Sequence, residues 1–176
     1  MLKRAEDITV EAFLLKPCRG IPNHERFPLL IYRSVFAAET GSKGRVFLAL
    51  FAENNWTNGW ENGVFDFHHY HSNTHEVLGI AGGAGVVLFG GDTGVKVRVE
   101  AGDVVLIPVG VGHKALSSEP GFVVVGAYPG GISPDLCRDQ GENDLSGASK
   151  MEDVPVCRED PLFGKDGLVQ AYWVGT

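Results

Sequence analysis

The stretch FHHYHSNTHEVLGIAGG, residues 67–83, holds four of the chain's six histidines, a glutamate and three glycines. His69 and His71 are two residues apart in a segment, VFDFHHYH, that alternates like a strand. Side chains at i and i+2 share a face, roughly 6.6 Å apart along the strand. Two imidazoles so placed can converge on one ion about 2 Å from each. Phe65 and Phe67 fall on the same face, so this reading turns the pair toward an apolar interior. Burying two imidazoles there without partners is costly, and a metal ion removes the cost. Glu76 lies five residues beyond His71, across a turn at SNT, and offers a hard oxygen donor. Further on, GDVVLIPVGVGHK ends an apolar run with a proline, a glycine turn and His113. That histidine is a fourth candidate ligand.

Outward from this cluster the pattern is that of strands. VVLF, VKVRV, DVVLIP and FVVVGAY are short, apolar or alternating, and separated by glycine-rich turns. Regular spacing of this kind argues for an all-β barrel or sandwich. Val10–Leu15 adds a strand candidate near the start. Lys43–Glu53 is the best helix, with Val46, Phe47, Leu50 and Phe51 on one stripe. It should stop before NNWTNGWENG, where two Asn-Gly pairs suggest turns. GGAGVVL has Leu88 where a dinucleotide fingerprint needs glycine, and reads as a turn between strands. In the glycine-rich tail, LVQAYWV is a candidate closing strand.

The 176 residues suit one domain with one core, and 44% hydrophobic content argues against disorder of the whole chain. A net charge of −7 disfavours nucleic acid and anionic membranes as partners. Cys18, Cys137 and Cys157 are scattered and odd in number, as expected for reduced thiols in the cytoplasm. The charged start lacks the apolar core of a signal peptide, and no run approaches a membrane span.

Gly63-x5-His69-x-His71-x4-Glu76-x6-Gly83 and Gly102-x5-Pro108-x-Gly110-x2-His113 match the two motifs of the cupins. The closing asparagine of the second motif is replaced by Ser117. The surrounding wording, including IPN, LLIY, NNWTNGWENG and GVGHK, resembles the bacterial YjlB-like single-domain cupins. The resemblance implies a double-stranded β-helix, a jelly-roll-like barrel with a short N-terminal helical segment. It implies a single cupin domain over 1–176, with the motif core at 63–117, an N-terminal extension at 1–60 and a C-terminal tail at 130–176. It further implies one divalent transition metal ion (Fe, Ni, Zn or Mn) on His69, His71, Glu76 and His113, a small-molecule ligand or substrate, and a homodimer.

Three imidazoles and a carboxylate leave a divalent ion one positive charge in excess and two open positions on an octahedron. Such a site suits a dioxygenase, with Glu76 as ligand and candidate proton shuttle. It also suits an isomerase or decarboxylase, or a binding or sensing protein without catalysis. His75 stays open between a role at the site and packing. His68 is expected to point outward and His24 to lie in a loop. Tyr70 is expected in the core, Asp103 to bond its own turn, and Lys114 to be solvated. Trp56 and Trp60 are candidates to roof the pocket.

Overall fold

A computed structural model describes residues 1–37, 43–139 and 148–174. Eleven strands among them form two antiparallel sheets. In chain order the strands are β1 (Thr9–Phe13), β2 (Leu29–Arg33), β3 (Trp56–Asn62), β4 (His69–Tyr70), β5 (Glu76–Gly82) and β6 (Ala84–Phe89). They continue with β7 (Val95–Glu100), β8 (Val104–Ile107), β9 (His113–Ser118), β10 (Val123–Pro129) and β11 (Cys137–Arg138). The larger sheet runs β1-β2-β8-β5-β10-β3 and the smaller β11-β4-β9-β6-β7. The all-β expectation holds, and the expected helix forms as α1 (Lys43–Glu53).

The near-continuous apolar runs have a simple cause: the larger sheet is covered on both faces, which removes the usual polar alternation. Leu29, Ile31, Leu78, Ile80, Val105 and Val124 point between the sheets, against Val87, Phe89, Val97 and Val99 of the smaller one. The alternate residues Leu30, Tyr32, Val77, Val104, Leu106 and Val125 face outward into a second core, with Phe47 and Phe51 of α1 and Trp173 of the tail. By contrast β7 keeps one wet face: Lys96 and Arg98 are exposed while Val97 and Val99 are buried. α1 seats closely on the sheet because β5 carries Gly79 there. A Cβ at Gly79 would lie 2.7 Å from the Phe47 ring. Asn55, at φ +63°, ends the helix in the left-handed conformation that asparagine tolerates.

Three expectations are corrected. NNWTNGWENG is mostly strand β3, not turns. Asn58 has φ +55° and the pairing with β10 shifts register between Gly126 and Tyr128, so the first Asn-Gly pair makes a bulge rather than a reversal. Only Asn62-Gly63 ends the strand. Next, VFDFHHYH is not one strand. The chain bends at Asp66–Phe67, only His69–Tyr70 pair, and Phe65 is 51% exposed instead of buried. Finally, LVQAYWV closes no sheet. Gln170–Val174 form a π-helical turn, whose Trp173 is buried and donates from Nε1 to the Pro28 carbonyl at 2.9 Å.

Buried hydrogen bonds anchor the tail. Asp160, fully buried, accepts from the Tyr32 hydroxyl at 2.8 Å and from the backbone N–H groups of Leu162, Phe163 and Val169. Asp103 bonds the Glu100 N–H in its own turn, as expected, and also pairs with Arg33 at 2.7 Å. The three cysteines are free thiols. No helix among the described residues is long and apolar enough to cross a membrane.

Candidate metal centre

The four residues singled out by the sequence meet between the sheets. His69 sits on β4 directly opposite His113, the first residue of β9, in the register of that pair. His71 follows β4, and Glu76 opens β5 on the facing sheet. All four are buried, at 2–8% exposure. One ring nitrogen of His69, His71 and His113 lies within 4.8 Å of the others. Glu76 Oε2 stands 3.3 Å from Nε2 of both His71 and His113. The convergence therefore survives the loss of the regular strand on which the sequence argument placed it. The β4–β9 pairing and the bend after His71 achieve it instead.

Each imidazole is oriented by the backbone. Nδ1 of His69 lies 3.1 Å from the Phe67 carbonyl, and Nδ1 of His113 lies 3.1 Å from the Val111 carbonyl. Nδ1 of His71 meets the Asp135 carbonyl. A carbonyl can only accept, so each Nδ1 carries a proton and each Nε2 of the neutral ring presents a lone pair. Those lone pairs face the Glu76 carboxylate, another acceptor. Glu76 Oε2 is buried and has no hydrogen-bond partner. With the rings neutral, these nitrogens and the carboxylate form a buried cluster of acceptors, which is unfavourable unless a cation sits among them. Nitrogen and carboxylate donors in this ratio fit a divalent transition ion.

In the ion-free centre a proton on His71 is the alternative cation. Burial drives His69 down to about 3, with help from the neighbouring His113. Burial also opposes charge on His71, but Glu76 outweighs it and raises that pKa. Glu76 itself is pulled well below the carboxylate range: burial works against this, and His113 and His71 overcome it.

The donors line the base of a cavity of about 320 Å³ whose wall includes Trp60, Phe65, Tyr128 and Leu136. Trp60 Nε1 donates to the Tyr128 hydroxyl at 2.8 Å. Gly126 permits this: a Cβ there would stand 2.2 Å from the indole. Burial, then the Glu76 charge, raises the Tyr128 pKa well above the usual phenol value, so the phenol keeps its proton. Of the two candidates to roof the pocket, Trp60 reaches it. Trp56 does not: it is buried in the outer core and donates to the Glu159 carbonyl at 2.8 Å. The bulge at Asn58 is what sends the two indoles to opposite faces. A larger cleft of about 770 Å³, beside Trp56 and Val154–Glu159, contains none of the four clustered donors.

The remaining histidines are accounted for locally. His75 is buried, accepts at Nδ1 from the Val109 N–H at 2.9 Å, and donates from Nε2 to the Pro155 carbonyl at 3.2 Å. Both ring nitrogens are spent away from the centre. His68 turns outward to Asp92 at 2.9 Å. His24 accepts the Phe27 N–H at 2.9 Å and stacks on that ring. Sequence reasoning missed Asp135 and Tyr128. The first lies in an unpatterned loop, and the second closes an apolar run in which its hydroxyl was the sole signal.

The cupin family pattern matches residues 60–129, a span that contains all four donors. The chain belongs to the cupin family. It is 40% identical over 154 residues to the uncharacterised protein YjlB of Bacillus subtilis (strain 168), covering 88% of this chain and 90% of that one. Among solved structures it is similar to acireductone dioxygenase from Bacillus anthracis, with TM-score 0.40 and 16% identity over 74% of this chain and 84% of that one. It is also similar to the DMSP lyase DddQ from Ruegeria pomeroyi, with TM-score 0.38 and 14% identity over 81% and 59%.

Proposed function

We propose that this chain is a metal-dependent enzyme of the dioxygenase type, acting on a small organic molecule. It holds one divalent transition ion on His69, His71, Glu76 and His113. The observation that carries the reading is the convergence of Nε2 lone pairs and the unpartnered Glu76 Oε2 at the foot of a cavity. When bound, such an ion supplies a Lewis-acidic or redox-active centre with coordination positions to spare. The chain supplies the rest. Backbone carbonyls fix the three rings, Glu76 sets the charge, and Trp60, Phe65 and Leu136 wall the pocket with apolar surface that limits water.

Proton-transfer chemistry is poorly provided for. Apart from the four donors, the titratable side chains lining the cavity are Tyr128 and Asp135. Asp135 is taken up with the Ser72 N–H and hydroxyl. An isomerase or decarboxylase needs a positioned acid and base, so oxidative chemistry is the better fit. The test is metal analysis of the purified protein beside a variant carrying His69→Ala and His71→Ala, followed by oxygen-uptake assays on a metabolite panel. About one metal ion per chain, lost in the variant, together with substrate-dependent oxygen consumption, supports the proposal. A protein that takes up no transition metal on reconstitution sinks it.

A further inference from the structure

The segment IPN, Ile21–Asn23, is remote in the chain from the four donors, yet it packs behind one of them. Asn23 is 1% exposed and holds φ at +52°, a left-handed conformation that asparagine accepts. Both of its amide hydrogens and its amide oxygen are engaged. Nδ2 donates to the Lys16 carbonyl at 2.6 Å and to the Gly90 carbonyl at 3.0 Å, and Oδ1 accepts from the Gly112 N–H at 3.2 Å. The backbone N–H of Asn23 donates to the Gly110 carbonyl at 3.0 Å. Asn23 therefore grips the chain on both sides of Val111, whose carbonyl faces Nδ1 of His113. The same short segment reaches two more elements. Gly110 donates its N–H to the His71 carbonyl at 2.8 Å, and the Gly112 carbonyl accepts from the Gly90 N–H at 2.7 Å. Ile21 packs on Gly112 closely enough that a Cβ there would stand 2.6 Å from Ile21 Cγ2.

We infer that Asn23 is a positioning residue of the metal centre, acting on His113 through the Gly110–Gly112 segment that it holds. This rests on the proposed centre. A residue of the N-terminal extension, outside the span 60–129 that matches the family, thus fixes the bearing of one donor. The role needs an amide. Two carbonyls and one N–H surround the side chain, so aspartate would set an oxygen against the carbonyls. A residue without a polar side chain would strand all three groups in a buried site. If the Val111 carbonyl shifts, the His113 ring turns with it, and its Nε2 lone pair leaves the point shared with His69 and His71.

The test loads the full chain with cobalt(II), whose visible absorption reports coordination number and ligand arrangement. Wild type, Asn23→Gly and Tyr32→Phe are compared. Glycine tolerates the φ of Asn23 and keeps the backbone bond to Gly110, so the side-chain bonds alone are lost. Tyr32 lies in the outer core, so Tyr32→Phe shows what lost stability does without any change near the donors. Unfolding midpoints are recorded first, and cobalt is titrated well below them. Asn23→Gly should bind cobalt about 10-fold more weakly and with a shifted visible band, while Tyr32→Phe matches wild type in both. If Asn23→Gly does not fold, Ile21→Ala takes its place: it loosens Gly112 without stranding a polar group and should shift the same band. The wild-type band in folded Asn23→Gly, or in Ile21→Ala standing in for it, overturns the inference and leaves the centre intact. An equal shift in Tyr32→Phe also overturns it, because the effect is then one of stability. Wild-type protein that takes up no cobalt overturns the centre as well.

Discussion

His71 turns its Nδ1 onto the backbone carbonyl of Asp135, and the Asp135 carboxylate holds Ser72, the residue after His71, through its N–H at 2.7 Å and its hydroxyl at 2.5 Å. The loop after β10 is thus clamped to the segment after β4, and the clamp sets the angle of one proposed ligand. Outer partners of this kind govern metal affinity. Ser72→Ala should weaken metal binding by about 10-fold, read by competition with a chromogenic chelator, while the unfolding midpoint of the metal-free protein moves little.

Histidines away from the centre should make stability fall in mild acid. Burial lowers His75 to about 4, and burial with the nearby Arg26 charge lowers His24 to about 4 as well. Between 6.5 and 4 the unfolded chain therefore binds more protons than the folded one. The contribution is complete above 6.5 and is lost progressively toward 4. For His75 the loss should be roughly 1–3 kcal/mol. Urea melts of metal-free protein at pH 7 and pH 4.5 measure it, and His24→Asn should flatten part of the slope. A midpoint independent of pH across that range would contradict the burial argument.

Asp160 carries the attachment of the tail. Replacing it with alanine strands the Tyr32 hydroxyl and three backbone N–H groups in a buried site, and should cost about 3–5 kcal/mol. Tyr32→Phe removes one bond and should cost about 1–2 kcal/mol. Neither residue touches the proposed donors, so both variants should keep the wild-type metal-to-protein ratio when folded. Denaturant unfolding and metal analysis on the same samples check the pair.

The seat of α1 on the larger sheet depends on a missing side chain. Gly79→Ala places a methyl 2.7 Å from the Phe47 ring, which should destabilise by about 1–3 kcal/mol. The cost should shrink in Gly79→Ala combined with Phe47→Leu, because the flat ring is gone. Additive losses in the double-mutant cycle would show that the two residues do not compete for the same space.

Much of this molecule was legible in its order of residues. Apolar runs of strand length, glycine turns, the Phe47–Phe51 stripe and the spacing of His69, His71, Glu76 and His113 are local facts. Local sterics and burial turn them into strands, a helix and a set of donors. What periodicity could not supply was the outcome where long-range pairing overrides local preference. Asn58-Gly59 is a turn by propensity and a bulge in fact, because β10 pairs across it, and that bulge sends Trp60 to the cavity and Trp56 to the outer core. VFDFHHYH alternates like a strand, yet His69 pairs with His113 while Phe65 is left at the rim. Asp135 and Tyr128, distant in sequence from the histidines, reach them only through the closing of the two sheets. The sequence by itself determined which atoms could hold an ion. The tertiary structure decided which way those atoms point and what charge and surface surround them, since burial and orientation come from contacts between segments far apart in the chain.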